Sequence, residues 1–196
     1  MVMFLAITLG ALYLINNVAD AQLLPRLRCS LRFSFGAFLL LFVIVVAQLV
    51  TMEGFAVNDQ GTVYLESGKY LHNLLQMPIV LALLLIGAVL LVAGVVMTLR
   101  KATYTRGIWL AAPGTVFAVM ALFLIAGYNG TAYYPSTADL QSSLTLTNSC
   151  SSEFTLRTMA AVSLVIPFVL AYIAYFWRKM DKQSLTTDEL NQSEKY

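Results

Sequence analysis

The sequence predicts an all-α, polytopic transmembrane helix bundle of about five spans, and three observations predict it. Charge is scarce: 59% of the 196 residues are hydrophobic and only 11% are charged, where a soluble domain carries about 25% to keep its surface hydrated. The apolar residues fall in long unbroken runs. The basic residues gather in alternate connections between those runs, as in a chain threaded through a bilayer.

A hydrocarbon core of ~30 Å requires about 20 apolar residues in a helix. Residues 33–52, 77–99, 107–128 and 159–177 satisfy this. Backbone groups in lipid must be hydrogen-bonded within the segment, so each run is read as a helix. The runs alternate too poorly to be barrel strands. The first stretch is apolar over Met1–Ile15 and then meets Asn16, Asn17 and Asp20. A span over about 2–24, with its polar end at the interface, is expected. A signal peptide cut near Ala19-Asp20-Ala21 would need a basic leader, and no Lys or Arg precedes Arg26.

Arg26, Arg28 and Arg32 lie in the first connection, Arg100, Lys101 and Arg106 in the third, and Arg178, Lys179, Lys182 and Lys195 after the last span. The second and fourth connections hold only Lys69 and Arg157, so ten of twelve basic residues share one side. That side is expected to be cytoplasmic. The N-terminus is then outside, and residues 181–196 form a polar cytoplasmic tail. The net charge of +2 is too small to point to nucleic acid. Cys29 and Cys150 fall on opposite sides of the membrane, which excludes a disulfide within one chain.

Trp109 opens the fourth span, and Tyr175, Phe176 and Trp177 close the fifth, as interfacial anchors do. Gly87 and Gly94 sit seven apart on one helix face, with Ala88 and Ala93 nearby. Ala160, Ala161, Ser163, Ala171 and Ala174 give the last span a similar character. Small residues let membrane helices approach closely, so both helices are expected to pack into a bundle. Pro78 falls in a first turn, where it costs little. Pro113 and Pro167 lie deeper and are expected to kink their helices.

Signals for chemistry are few. The single histidine, His72, precedes a span in the external second connection and reads as an interfacial polar residue. A bis-histidine haem would need a second one. The methionines are scattered through apolar runs and read as packing. No carboxylate lies at the centre of a span, where ion and proton paths place ionisable groups. Gln48 and the Asn16/Asn17/Asp20 cluster are the polar exceptions, read as helix–helix hydrogen bonds or interface residues. Glycine-rich phosphate loops, metal-ligand clusters and nucleophile–base pairs are absent from the sequence. No catalytic, cofactor-binding or metal residue is therefore nominated. Asn129-Gly130-Thr131 matches a glycosylation acceptor, a short and weak pattern.

The fourth connection, residues 129–158, is long for a loop. It is rich in Ser and Thr but carries Leu140, Leu144, Leu146, Phe154 and Leu156. It is expected to fold down on the bundle or on a partner.

That loop and the following helix resemble subunit II of cytochrome bd-type quinol oxidases. The stretch runs Tyr134-Pro135-Ser136, then Ser142-Ser143-Leu144-Thr145-Leu146-Thr147-Asn148-Ser149-Cys150-Ser151-Ser152, then Thr155-Leu156-Arg157-Thr158-Met159. Ile166-Pro167, Leu170, Tyr172 and Tyr175-Phe176-Trp177-Arg178 complete it, over about fifty residues. Leu5–Phe33 and Gln76-Met77-Pro78 are compatible but weaker.

Family members run to nearly twice this length, with nine spans in two four-helix bundles plus a peripheral helix. The chain looks like the last five, so a separate N-terminal half of subunit II is a candidate partner. Where the family has a basic residue after the first of these helices, this chain has Asn16, Asn17 and Asp20. The resemblance implies electron transfer from a quinol to oxygen in the cytoplasmic membrane of a bacterium or archaeon. It assigns the haems, b and d, to a partner subunit I, and to subunit II a role in assembly. Lipid and quinone are further expected contacts. An autonomous small permease is the competing reading, and it would need polar groups or broken helices at mid-depth.

Overall fold

The computed structural model describes residues 1–58 and 60–180; the tail expected over 181–196 lies outside the described residues. The chain runs α1 (Val2–Asn17), α2 (Leu23–Thr51), β1 (Glu53–Val57), β2 (Val63–Ser67), α3 (Lys69–Gln76), α4 (Pro78–Arg100) and α5 (Ile108–Gly127). A 3-10 turn (Leu140–Ser142), α6 (Leu146–Ser149), α7 (Glu153–Ser163) and α8 (Ile166–Met180) follow. It is a multi-pass helical bundle. By length and composition, α2, α4, α5 and the stretch Glu153–Met180 can each cross a membrane, whereas α1 is a shorter apolar helix.

The first two helices differ most from the expected boundaries. The stretch expected over 2–24 is helical only over Val2–Asn17, about 24 Å at 1.5 Å per residue. The chain turns at 18–22 because the Asp20 carboxylate accepts the amide hydrogens of Gln22 (2.6 Å) and Leu23 (3.1 Å). Pro25 then falls in the first turn of α2, where a missing N–H goes unnoticed. Arg26, Arg28 and Arg32, expected in a connection, therefore ride on the opening turns of α2.

The two prolines behave differently. Pro113 lies inside α5 without interrupting it. Around Pro167 the last span divides into α7 and α8. Proline offers no N–H to the Ser163 carbonyl, and the chain tightens instead to Leu164 N–H on Ala161 (3.2 Å) and Val165 N–H on Val162 (3.0 Å).

Helices α1 and α2 pack as one pair and α4 and α5 as another, with α1 meeting α5 and α2 meeting α4. One core cluster joins all four through Leu12, Ile15, Leu31, Phe38, Leu91, Val95 and Ala111. A second, with Tyr70, Val80, Ala121 and Ile125, lies beneath the second connection. Burial there pushes the Tyr70 hydroxyl above its ordinary pKa. Between α1 and α2, the buried Thr8 hydroxyl donates to Ser34 Oγ at 3.2 Å.

Contact between α4 and α5 is backbone on backbone. A Cβ at Gly87 would lie 2.6 Å from the Ala118 amide nitrogen, and one at Gly114 would lie 2.7 Å from the Gly87 carbonyl oxygen. A turn or two further on, a Cβ at Gly94 would lie 2.5 Å from the Gly107 carbonyl oxygen. Glycine is what permits this approach. The expectation for Gly87 and Gly94 is met, and their partners on α5 are Gly107, Gly114 and the alanines beside them.

The expectation for the last span is not met within this chain. Ala160, Ala161, Ser163, Ala171 and Ala174 are all exposed, and no residue of α7 or α8 is buried.

Candidate functional site

The two ends of the bundle have opposite chemistry. At one end the Arg28 guanidinium donates to the Ala102 carbonyl, and Arg106 and Arg178 line a common cleft. Among the described residues this end holds eight basic side chains and one carboxylate, Asp20. Glu53, Glu66, Asp139 and Glu153 belong to the other end, with Lys69, His72 and Arg157.

That other end is a folded cap built from both of its connections. Strands β1 and β2 form an antiparallel hairpin, Glu53 opposite Ser67 and Val57 opposite Val63. The fourth connection adds itself to both edges. Val57 N–H bonds to the Gly130 carbonyl (2.8 Å) and Ala132 N–H to the Phe55 carbonyl (2.9 Å). On the β2 edge, the Gln141 amide acts as a strand residue would. It accepts from Val63 N–H and donates to Val63 C=O, both at 2.9 Å. The sharp entry to this layer uses consecutive left-handed residues, Asn129 (φ 60°) and Gly130 (φ 61°), residue types that tolerate it.

Asn73 of α3 is the buried hub. Its Nδ2 donates to the Ile125 carbonyl at the end of α5 (2.9 Å) and to Thr131 Oγ1 (2.8 Å). Asn129 Nδ2 completes the network on Asn73 Oδ1 and Gln76 Oε1. The Asn129 amide, flagged as a glycosylation acceptor, is thus engaged inside the cap.

The resemblance-bearing stretch closes the structure. Tyr134 and Leu144 form an antiparallel bridge. Ser143, fully buried, donates to the Leu140 carbonyl (2.7 Å) and accepts from Ser136 N–H (3.0 Å). Thr145 and Asn148 make a reciprocal capping box on α6: Asn148 N–H bonds to Thr145 Oγ1, and Thr145 N–H to Asn148 Oδ1 (2.7 Å). Ser152 caps α7, and Glu153 pairs with Arg157 at 2.6 Å, one turn on. The polar residues of the stretch are therefore turn, cap and bridge residues, in the spacing that each motif demands.

The match extends beyond this loop. The chain matches the family model for cytochrome bd terminal oxidase subunit II over residues 1–180, nearly its whole length. It belongs to that family. No curated protein matches the sequence. Membership gives this subunit II homologue a place in a bd oxidase complex alongside another subunit, a complex that contains haem.

The chain has one histidine, and its Nδ1 lies 2.9 Å from Glu66 Oε1 on the exposed cap, away from the four-helix core. The bond from His72, assisted by the Lys69 ammonium at 3.5 Å and opposed by partial burial, holds the Glu66 carboxyl below its ordinary pKa. Among the described residues, no group of three or more His, Cys, Asp or Glu side chains converges on a point. Cys29 and Cys150 are free, exposed and at opposite ends.

The other flagged residues separate. Gln48 is exposed on α2. Asn16 donates to Asn17 Oδ1 (3.0 Å) and Asn17 Nδ2 is buried without a partner, while the Asp20 carboxylate accepts the Gln22 and Leu23 amides in the turn before α2. Sequence reasoning missed the hairpin, the hub at Asn73 and the α5 half of the glycine contact. The last had a readable signal, since Gly107 and Gly114 repeat the seven-residue spacing of Gly87 and Gly94.

Proposed function

We propose that this chain is a non-catalytic subunit of a bd-type terminal quinol oxidase that supports assembly of the haem-bearing subunit. In that complex a quinol is oxidised and oxygen reduced to water. Haems b and d then belong to the partner subunit I. One observation carries the reading: the polar side chains of the family stretch, Ser143, Thr145, Asn148 and Ser152, all bond within the chain to build the cap. They serve architecture. The buried polar groups of the bundle do likewise, with Thr8, Ser34 and Thr98 bonded to neighbouring helix groups, which gives the permease reading no mid-depth charge to work with.

The orientation follows from the charge asymmetry. The basic end lies in the cytoplasm and the cap outside, in a bacterial or archaeal cytoplasmic membrane. The surfaces offered to the partner are the exposed small-residue faces of α7 and α8 and the cap; lipid and quinone fill the rest of the perimeter. A separate N-terminal half of subunit II would stand beside the same bundle.

A deletion strain tests the role. Membranes lacking the chain are expected to lose the haem d band and quinol oxidase activity, and the His72→Ala chain is expected to restore both. Restoration of activity without the haem band, or failure of His72→Ala through loss of one haem, would refute a purely supporting role.

A further inference from the structure

The basic end carries a cleft that the assembly role does not use. It measures about 760 Å³ and opens between the end of α1, the turn before α5 and the end of α8. Asn16, Asn17, Tyr104, Arg106, Trp109 and Arg178 line it. The volume lies within the range of about 300–1,000 Å³ typical of small-molecule sites.

We propose that this cleft binds the phosphate-bearing headgroup of an anionic phospholipid. Two arginines line it from different parts of the chain, Arg106 in the turn before α5 and Arg178 on α8. Two like charges facing one cleft repel each other, and an anion between them reverses the sign of that interaction.

The second observation is independent of charge. Asn17 lines the cleft, and its Nδ2 is buried without a partner, so a turn of the side chain toward the cleft would give that donor an acceptor. A phosphodiester supplies acceptors for both kinds of group, since its oxygens match the guanidinium fork and take an amide hydrogen as well.

The depth of the cleft selects a lipid as the source of the phosphate. Arg106 and Arg178 mark the ends of helices that cross the bilayer, and Trp109 is 61% exposed beside them. Arginine with tryptophan at a helix end marks the headgroup layer, and basic pockets between spans at this level take anionic headgroups. The inference rests on membrane placement and is independent of the oxidase role.

Native mass spectrometry of the full chain, purified in mild detergent with its partners and delipidated, tests it. Phosphatidylglycerol, phosphatidylcholine and inorganic phosphate are the three probes. Phosphatidylglycerol is expected to bind this chain at least tenfold more tightly than phosphatidylcholine. Arg106→Gln with Arg178→Gln is expected to remove that preference, each single variant to weaken it about threefold, and Arg157→Gln in α7 to leave it intact. Equal binding of the two lipids, or an unchanged preference in the single variants, would overturn the proposal. So would millimolar inorganic phosphate displacing the lipid completely, since that assigns the cleft to the free anion.

Discussion

Helices α4 and α5 and the stretch α7–α8 are all apolar enough to span a membrane and all carry small residues, yet only the first pair packs within this chain. In α4 and α5 the glycines recur every seven residues on both partners. The repeat lines up Gly87 with Gly114 and Gly94 with Gly107 over two turns or more. In α7–α8 the small residues are alanines and a serine, broken at Leu164–Val165 into two short groups. Small size permits approach; matched spacing on two helices produces it. An unmatched stripe is left for another chain or for lipid.

The largest effect should come from breaking the matched pair. Gly87→Ala or Gly114→Ala drives a methyl group into facing backbone and is expected to cost about 1–3 kcal/mol each, with little accumulation of the double variant. Gly10→Ala and Gly36→Ala, which have nothing within 4 Å of the added Cβ, should be neutral or slightly stabilising. Thermal melting followed by fluorescence-detected size exclusion compares the four.

Next in size is the hub. Asn73→Leu strands the buried Ile125 carbonyl and Thr131 hydroxyl and is expected to cost about 1–3 kcal/mol. Limited proteolysis should then cut the 129–150 loop while sparing the helices.

Asn148→Ala removes one half of the capping box and is expected to cost about 1 kcal/mol, detectable as faster hydrogen exchange confined to residues near 143–149. On the unmatched side of the comparison, Ala171→Leu should leave the melting of the chain alone within about 0.5 kcal/mol but lower its recovery with partner.

The smallest effect is at Glu66. Its carboxyl pKa is lowered by His72 and Lys69, so the stabilisation is complete above the ordinary glutamate value. It fades as pH falls through the lower folded value. Glu66→Gln should flatten that acid limb of the cap's melting profile slightly.

Hydrophobic run length made the helical bundle legible, because lipid leaves a backbone no alternative to internal hydrogen bonds. Its limits were less legible. The turn at 18–22 depends on Asp20 reaching two amides, and that geometry outweighed the apolar continuity suggested by Leu23 and Leu24. The cap was legible only as a loop that ought to fold. Its register is set by contacts across nearly eighty residues, such as Gln141 on Val63, which no local pattern announces. The cleft at the basic end was half legible, since the arginines were counted to one side while their place on one cleft required the fold. Orientation itself has built-in reporters: a membrane-impermeant maleimide should reach Cys150 in intact cells and Cys29 only after permeabilisation.

Purification through this chain in mild detergent, followed by a reduced-minus-oxidised visible spectrum, examines the supporting role at its root. The account predicts a larger companion subunit that carries all of the haem absorbance, undiminished in the His72→Ala preparation. Recovery of the chain alone and without haem, from membranes that retain oxidase activity, would contradict it.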